Sequence, residues 1–217
     1  MRRFAFILFV ALVALGLFVW TKRRDEPFVL LRPPPGEQVS SELPRHWTVP
    51  DFVLTERSGE TKGMADLRGK VWVADFFYTT CPAVCPMLSS RLAIVQQKFA
   101  SNPDVRLVSI ATDPAKDTPD ALKLYADRFK AGPHWLFLTG DKAAIFELAN
   151  KGFKLSLTEE RNSPEPVTHS TKLVLVDRTG TIRGFYEGVG ETDDTSRLIA
   201  DIERLLREMP GESEKEK

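Results

Sequence analysis

The residues Val-Trp-Val-Ala-Asp-Phe-Phe-Tyr, at positions 71–78, form an apolar run that only Asp75 interrupts. Thr-Thr-Cys-Pro-Ala-Val-Cys-Pro, at positions 79–86, follows at once. The continuous apolar character of the run predicts a central strand that is buried on both faces of a sheet. The two cysteines would then lie at the carboxyl end of that strand, where reactive groups and ligands gather in α/β proteins.

Predicted strands and helices alternate on both sides of this stretch. Thr118 is a good N-cap and Pro119 a good first helical residue, and Gly180 lies in the turn of a predicted β-hairpin. The predicted strands are 52–55, 71–78, 105–110, 135–138, 171–177 and 181–185, and the predicted helices are 87–99, 118–129, 142–151 and 194–208. This order predicts an α/β protein with a mixed sheet and helices on both faces. It matches a thioredoxin-like fold with an extra N-terminal element and an inserted strand and helix.

Composition bounds the class of protein. The 217 residues include 30 Lys and Arg and 30 Asp and Glu, so the formal net charge is zero. Proteins that bind nucleic acid usually carry a basic patch, so we expect no nucleic-acid partner. A hydrophobic content of 42% is typical of a globular core.

The N-terminus predicts a membrane anchor. Phe4–Trp20 is an apolar run of about 17 residues with arginine or lysine on both sides and no small-residue cleavage site at its end. We expect a transmembrane helix over 1–24, a proline-rich linker over 25–45, the thioredoxin-like domain over 46–209 and a charged tail over 210–217. The chain is then a single-pass protein of the cell inner membrane with its domain on the periplasmic side, and a cleaved signal peptide would also place the domain outside.

The cysteine pair indicates a local chemical device, because a disulfide-stabilised scaffold needs more than two cysteines. If the helix begins at Pro82, which suits a first helical position, Cys81 and Cys85 lie on one face of it. Pro86 would clash one turn later, so the alternative is a helix that begins at Pro86, with both cysteines on an irregular loop before it. The helix dipole and nearby amides are expected to favour thiolates. Two thiolates select copper(I), zinc or iron–sulfur clusters, and structural zinc needs four ligands. Two cysteines and one imidazole would make an open site that suits copper.

Three histidines compete for the role of third ligand. His169 comes immediately before the hairpin, and in thioredoxin-like folds the loop at that position packs beside the cysteine turn. His46 lies at the junction of the predicted linker and the domain, and His134 precedes a strand beside Pro133, so both are interpreted as ordinary polar residues. The acidic loop 158–166 leads into His169, and it is either a mobile arm that carries the histidine or a solvated loop.

Four segments together carry a resemblance to a known family over roughly residues 50–207. They are Phe-Tyr-Thr-Thr-Cys-Pro-Ala-Val-Cys-Pro (77–86), Ser-Ile-Ala-Thr-Asp-Pro-Ala-Lys-Asp-Thr-Pro (109–119), Trp-Leu-Phe-Leu-Thr-Gly (135–140) and His-Ser-Thr (169–171). In combination they resemble the Sco/SenC family of copper proteins. The Cys-x-x-x-Cys-Pro motif alone would be a weak signal.

The resemblance implies a membrane-anchored protein that binds copper through Cys81, Cys85 and His169. This favours a metallochaperone over an enzyme, and thiol–disulfide oxidoreductase activity stays open. It also implies delivery of copper to the dinuclear copper centre of cytochrome c oxidase, or maturation of that centre, with the copper-accepting oxidase subunit as partner. A copper donor and a periplasmic thiol reductant are further expected partners, since copper can load only onto reduced thiols. Ala83 and Lys116 depart from the aspartate and arginine that many members carry, which puts in doubt any docking role of those side chains.

A thiol–disulfide reductase is the main alternative. Asp75 lies six residues before Cys81, the spacing at which thioredoxins place a buried proton-accepting aspartate. If it is buried, its pKa should rise and it could relay protons to a thiol; if it is exposed at the strand end, it could not. A peroxiredoxin-like peroxidase is less favoured, because no arginine is obviously placed to activate peroxide.

Overall fold

The computed structural model of the protein describes residues 42–159, 167–168, 170–190 and 194–208. Within those ranges, none of the helices has the length and apolar character needed to cross a membrane. The predicted transmembrane helix at 1–24 and the predicted tail at 210–217 lie outside the described residues.

The strands and helices follow one another largely as the sequence predicts. The strands are β1 Val53–Glu56, β2 Thr61–Gly63, β3 Val71–Phe77, β4 Val105–Ala111, β5 Trp135–Thr139, β6 Thr158–Glu159, β7 Val167–Thr168, β8 Lys172–Val176 and β9 Ile182–Glu187. The helices are α1 Met64–Leu67, α2 Val84–Lys98, α3 Pro119–Arg128, α4 Lys142–Glu147 and α5 Thr195–Arg207. A π-helical turn, Leu148–Gly152, continues α4.

The main sheet has the order β2-β1-β5-β4-β3-β8-β9. Strands β3, β4 and β5 are parallel, and β8 runs antiparallel to β3, with Ala74 opposite Val174 and Trp72 opposite Val176. The chain therefore enters β8 at the end of the sheet where β3 finishes. The described residues thus form the mixed sheet that was predicted for an α/β fold. A separate two-stranded sheet joins β6 and β7.

Strand β3 divides the core into two layers because alternate side chains point to opposite faces of a sheet. Val71, Val73 and Phe77 belong to one apolar cluster, which also holds both cysteines. Trp72 and the other alternate residues of β3 belong to a second cluster on the opposite face. Both faces of β3 are fully buried, in agreement with its sequence, which is apolar except for Asp75.

The structure places the start of the helix at the cysteines between the two predicted positions, Pro82 and Pro86. Helix α2 begins at Val84 with Ala83 as its N-cap, so Cys85 lies in its first turn instead of on a loop. Pro86 is accommodated because the first N–H groups of a helix have no acceptor within the helix. The prediction for α3 is confirmed: Thr118 Oγ1 accepts the Ala121 N–H and Pro119 is the first helical residue. Strand β2, helix α1 and the β6–β7 pair were not predicted.

Residues 42–45, which the sequence analysis assigned to the linker, pack on the domain. Arg183 lies on β9 with a fully buried side chain, and it donates hydrogen bonds to the carbonyl oxygens of Leu43 and Pro44. The same guanidinium pairs with Asp177 at 3.1 Å and Glu208 at 2.7 Å. This group, Arg183 with Asp177 and Glu208, is called the arginine clasp. It joins the first described residues, the β8–β9 hairpin and the end of α5.

Candidate metal centre

The cysteine turn comprises residues 78–85 and connects β3 to α2. The Cys81 N–H donates to the Tyr78 carbonyl oxygen at 3.2 Å, which closes a tight turn directly after the strand. Cys85 follows in the first turn of α2, where backbone N–H groups have no acceptor within the helix. One of these groups, the Cys85 N–H, donates to Cys81 Sγ at 3.3 Å. The helix start therefore holds Cys81 Sγ against the backbone of the second cysteine.

Both cysteines are buried, and they are not joined by a disulfide bond. The residue Cys81 is 5% exposed and Cys85 is not exposed. The apolar cluster that contains them also contains Phe77, Leu88 and Tyr125. The pair thus lies beneath the surface, with Cys81 as the member that solvent still reaches.

Burial raises the pKa of the Cys85 thiol well above its ordinary value, and its hydrogen bond with Cys81 raises it further. The position of the cysteines at a helix start predicted thiolates, and for Cys85 that prediction is wrong. The helix N-terminus does favour negative charge. At a fully buried position, however, the desolvation free energy of a thiolate exceeds the stabilisation by the helix dipole. Cys85 therefore carries its proton in the metal-free protein, and a metal ion must displace that proton to bind the sulfur.

The third predicted ligand, His169, lies outside the described residues. Its neighbour Ser170 is half-buried, and the Ser170 hydroxyl accepts the N–H of Lys172 at the start of β8. Within the described part of the chain, no group of three or more histidine, cysteine or acidic residues is arranged to hold a metal ion. Among the predicted ligands, the structure describes only the sulfurs of Cys81 and Cys85. The loop 158–166, which leads to His169, is described only for Thr158 and Glu159.

The other two histidines lie away from the cysteine turn. The His46 ring packs edge-on against Trp47 and Phe185, with centroids 5.7 and 5.6 Å away. His134 immediately precedes β5, at the end of the sheet opposite the cysteines, and partial burial lowers its pKa. These positions agree with the interpretation of both as ordinary polar residues.

Asp75 is fully buried, so the possibility that it is exposed at a strand end is excluded. Ser109 Oγ donates to Asp75 Oδ1 at 2.5 Å, and Trp135 Nε1 donates to Ser109 Oγ at 2.9 Å. Asp75 Oδ2 has no hydrogen-bond partner among the described residues. Burial raises the pKa of Asp75 from 3.8 to about 7, and the Ser109 hydrogen bond offsets only part of that rise. A carboxyl group that titrates near neutral pH therefore lies in the core on the strand that leads to the cysteines.

Sequence reasoning missed Asp117, which contacts the cysteine turn from the loop after β4. Asp117 is fully buried, and its Oδ1 accepts both the N–H and the hydroxyl of Thr79. An acidic residue in the loop after a strand that is parallel to β3 and adjacent to it was the available signal. The sequence could not say which of Asp113 and Asp117 points inward.

The fold and the site define a class of protein: a thioredoxin-like domain with two buried cysteines in the turn from its central strand to the following helix. A model of the SCO1/SenC family matches residues 41–207, which is more than half of the chain. The chain belongs to the SCO1/SenC family.

Individual relatives agree with that assignment. The SCO1 protein homolog of Bacillus subtilis is 33% identical over 172 residues, which cover 77% of this chain and 86% of that protein. The structure of BsSco, described as a member of the Sco family of cytochrome c oxidase assembly proteins with a disulfide switch, is 30% identical with a TM-score of 0.67, covering 77% of this chain and 98% of that one. The copper-bound structure of Bradyrhizobium japonicum ScoI is 27% identical with a TM-score of 0.60, covering 74% and 100%.

Proposed function

We propose that this chain is a copper chaperone that binds one copper ion through Cys81, Cys85 and His169. The observation that carries the proposal is the pair of buried sulfurs at the start of α2, with the Cys85 N–H on Cys81 Sγ at 3.3 Å. The copper-bound structure of the related ScoI from Bradyrhizobium japonicum supports the choice of metal. Copper here is cargo, which the site must both receive and release.

The donor set fits copper(I) better than harder cations. Sulfur is a soft ligand, and two thiolates with one imidazole complete a three-coordinate site without the fourth ligand that structural zinc requires. The apolar surroundings of Cys85 exclude water from the bound ion. Slight exposure of Cys81 provides the side from which copper is received and released. Loading releases the Cys85 proton, so bound copper is favoured at higher pH.

The destination proposed for the copper is the dinuclear centre of cytochrome c oxidase, through its copper-accepting subunit. BsSco, a relative, is described as belonging to a family of cytochrome c oxidase assembly proteins. A single-pass anchor at 1–24 and a linker over 25–45 would hold the domain at the periplasmic face of the inner membrane, close to that subunit. A copper donor and a thiol reductant on the same side complete the proposed set of partners.

The ligand assignment predicts different results for two histidine variants. In the reduced chain, His169→Ala removes one of three donors, so copper(I) affinity should fall about 10- to 100-fold or more. His134→Ala is the matched control, because it removes a histidine at the opposite end of the sheet, and it should leave the affinity unchanged. The measurement is a titration in competition with a colorimetric copper(I) chelator. If His169→Ala retains the affinity of the parent chain, the imidazole is not a ligand.

A second candidate function is thiol–disulfide reduction, and the buried Asp75 favours it. In each turnover the Cys81–Cys85 dithiol would pass two electrons and two protons to a disulfide of an exported protein, and would itself become a disulfide. The Cys85 thiol must lose its proton for this exchange, and Asp75 is a buried acceptor whose pKa of about 7 suits the task. This activity needs the two cysteines but not His169, so the His169→Ala variant separates the two functions.

The raised pKa of Asp75 predicts a pH-dependent stability. In the folded chain Asp75 keeps its proton up to about pH 7, whereas in the unfolded chain it loses it near 3.8. The folded state therefore binds more protons in this window, and its stability falls as the pH rises. From about pH 4 to about pH 8 the metal-free parent should lose about 4 kcal/mol of unfolding free energy relative to Asp75→Asn.

Urea unfolding of the reduced, metal-free chain at several pH values measures this difference. Asp141→Asn is the comparison at each pH, because it makes the same chemical change at an exposed helix N-cap and removes no buried carboxyl group. Parallel stability curves for the parent and Asp75→Asn would contradict the assignment of a raised pKa.

A further inference from the structure

Asp117 joins two loops at the same end of the sheet. The Thr79 N–H donates to Asp117 Oδ1 at 3.0 Å, and the Thr79 hydroxyl donates to the same oxygen at 2.5 Å. Thr79 lies on the cysteine turn, two residues before Cys81. Asp117 lies between β4 and α3, so its side chain crosses from one loop to the other.

The loop that carries Asp117 is itself held firmly. Thr112 donates both its N–H and its hydroxyl to the Phe77 carbonyl oxygen, at 2.8 and 3.1 Å. The Asp117 N–H donates to the Asp113 carbonyl oxygen at 2.8 Å, and the next residue, Thr118, caps α3. The carboxylate therefore projects from a rigid support, as a group that positions another must.

The burial of Asp117 is costly. The residue is fully buried, and its Oδ2 has no hydrogen-bond partner within the described ranges. A buried carboxylate oxygen without a partner destabilises the fold, whereas hydrogen bonds to an ionised acceptor are about twice as strong as neutral ones. The two hydrogen bonds that Asp117 Oδ1 accepts from Thr79 restrain the position of Thr79.

A short chain of hydrogen bonds links Thr79 and its neighbour Tyr78 to the two cysteines. Thr79 follows Tyr78, whose carbonyl oxygen accepts the Cys81 N–H at 3.2 Å, and Cys81 Sγ in turn accepts the Cys85 N–H at 3.3 Å. A displacement of Thr79 therefore moves the turn that sets Cys81 Sγ against Cys85. We propose that Asp117 is a positioning residue that fixes the cysteine turn in the geometry needed for both sulfurs to act together. This inference rests on the proposed function of the cysteine pair.

Three variants of the reduced, full-length chain test the proposal, with copper(I) affinity as the first measurement. Asp117→Ala should weaken binding about tenfold or more, in the range seen when a group that orients a metal ligand is removed. Asp117→Asn keeps an acceptor oxygen and should bind within about threefold of the parent. Thr79→Val removes only the hydroxyl and should weaken binding about two- to tenfold.

The chain offers a matched control for Thr79→Val. The Thr179 hydroxyl donates to Asp177 Oδ1 at 2.6 Å, and the Thr179 N–H donates to the same oxygen, in the hairpin at the opposite end of the sheet. Thr179→Val therefore removes an equivalent hydrogen bond away from the cysteines, and it should leave copper(I) affinity unchanged. If Thr79→Val and Asp117→Ala bind copper(I) as tightly as the parent and Thr179→Val, the proposal is overturned.

A second measurement separates this inference from the proposed function. The equilibrium between the Cys81–Cys85 disulfide and a reference dithiol reports on the relative placement of the sulfurs without any metal. If the parent binds no copper(I), the proposed function fails, and this equilibrium alone decides the role of Asp117. A shift of about threefold or more in Thr79→Val, but not in Thr179→Val, supports positioning. Equal equilibria for Thr79→Val and Thr179→Val overturn the positioning role of Asp117. This test does not need Asp117→Ala, so it holds even if that variant does not fold.

Discussion

Copper(I) affinity is expected to fall about a thousandfold when Cys85 is replaced by serine. The serine hydroxyl is a hard, neutral donor that does not ionise near neutral pH, so the site loses one of its two soft anionic ligands. Cys81→Ser should have an effect of the same order. Competition with a copper(I) chelator under reducing conditions measures both.

A neighbouring position provides the control for the cysteine variants. Ser89 lies one turn after Cys85 on the buried face of α2, and its hydroxyl is 3.0 Å from the Tyr125 hydroxyl. Ser89→Ala disturbs the same part of the core without touching a sulfur, so its copper(I) affinity should remain within about threefold of the parent. Loss of affinity in Ser89→Ala equal to that in Cys85→Ser would mean that packing, and not the thiol ligand, determines binding.

The arginine clasp is expected to dominate the stability of the domain. Arg183→Ala should lower the free energy of unfolding by about 3–5 kcal/mol, because it removes the buried partner of the buried Asp177 carboxylate. The only cation then left beside Asp177 among the described residues is the half-exposed Arg45, at 3.7 Å. It also removes the donors to the Leu43 and Pro44 carbonyl oxygens. Equilibrium unfolding in urea, followed by tryptophan fluorescence, measures the change.

An exposed arginine serves as the comparison. Arg68 pairs with Asp51 at 3.1 Å, but their side chains are 67% and 80% exposed. Arg68→Ala should therefore cost less than about 1 kcal/mol. Similar losses for the two variants would show that burial does not strengthen the clasp. Since the clasp lies at the end of the sheet opposite the cysteines, Arg183→Ala should leave copper(I) affinity unaltered at temperatures where it remains folded.

Most of the main sheet and the identity of the cysteine pair could be predicted from local patterns. The apolar run at 71–78 is typical of a central strand, and the alternation of strands and helices around it predicted a mixed sheet. Short elements escaped prediction. β2 spans only Thr61–Gly63 and α1 only Met64–Leu67, which is too short for either to show a period in the sequence.

The ionisation of the site could not be predicted. The helix dipole at Cys85, which can be inferred from the sequence, favours a thiolate. Desolvation, which cannot be inferred from the sequence, raises the pKa of Cys85 in the structure. The state of Asp75 depended in the same way on burial. The quantity that decides both is the distance of the group from water, and that distance is a property of packing.

The sequence by itself determined the central strand, the turn that places Cys81 and Cys85 after it, and the family to which the chain is similar. Those features depend on residues close together in the chain, so their spacing is enough to define them. Only the tertiary structure decided that Cys85 and Asp75 are fully buried, and that Asp117 accepts two hydrogen bonds from Thr79. Each of these depends on contacts between segments distant in sequence, whose energies are set by burial and hydrogen bonding in three dimensions.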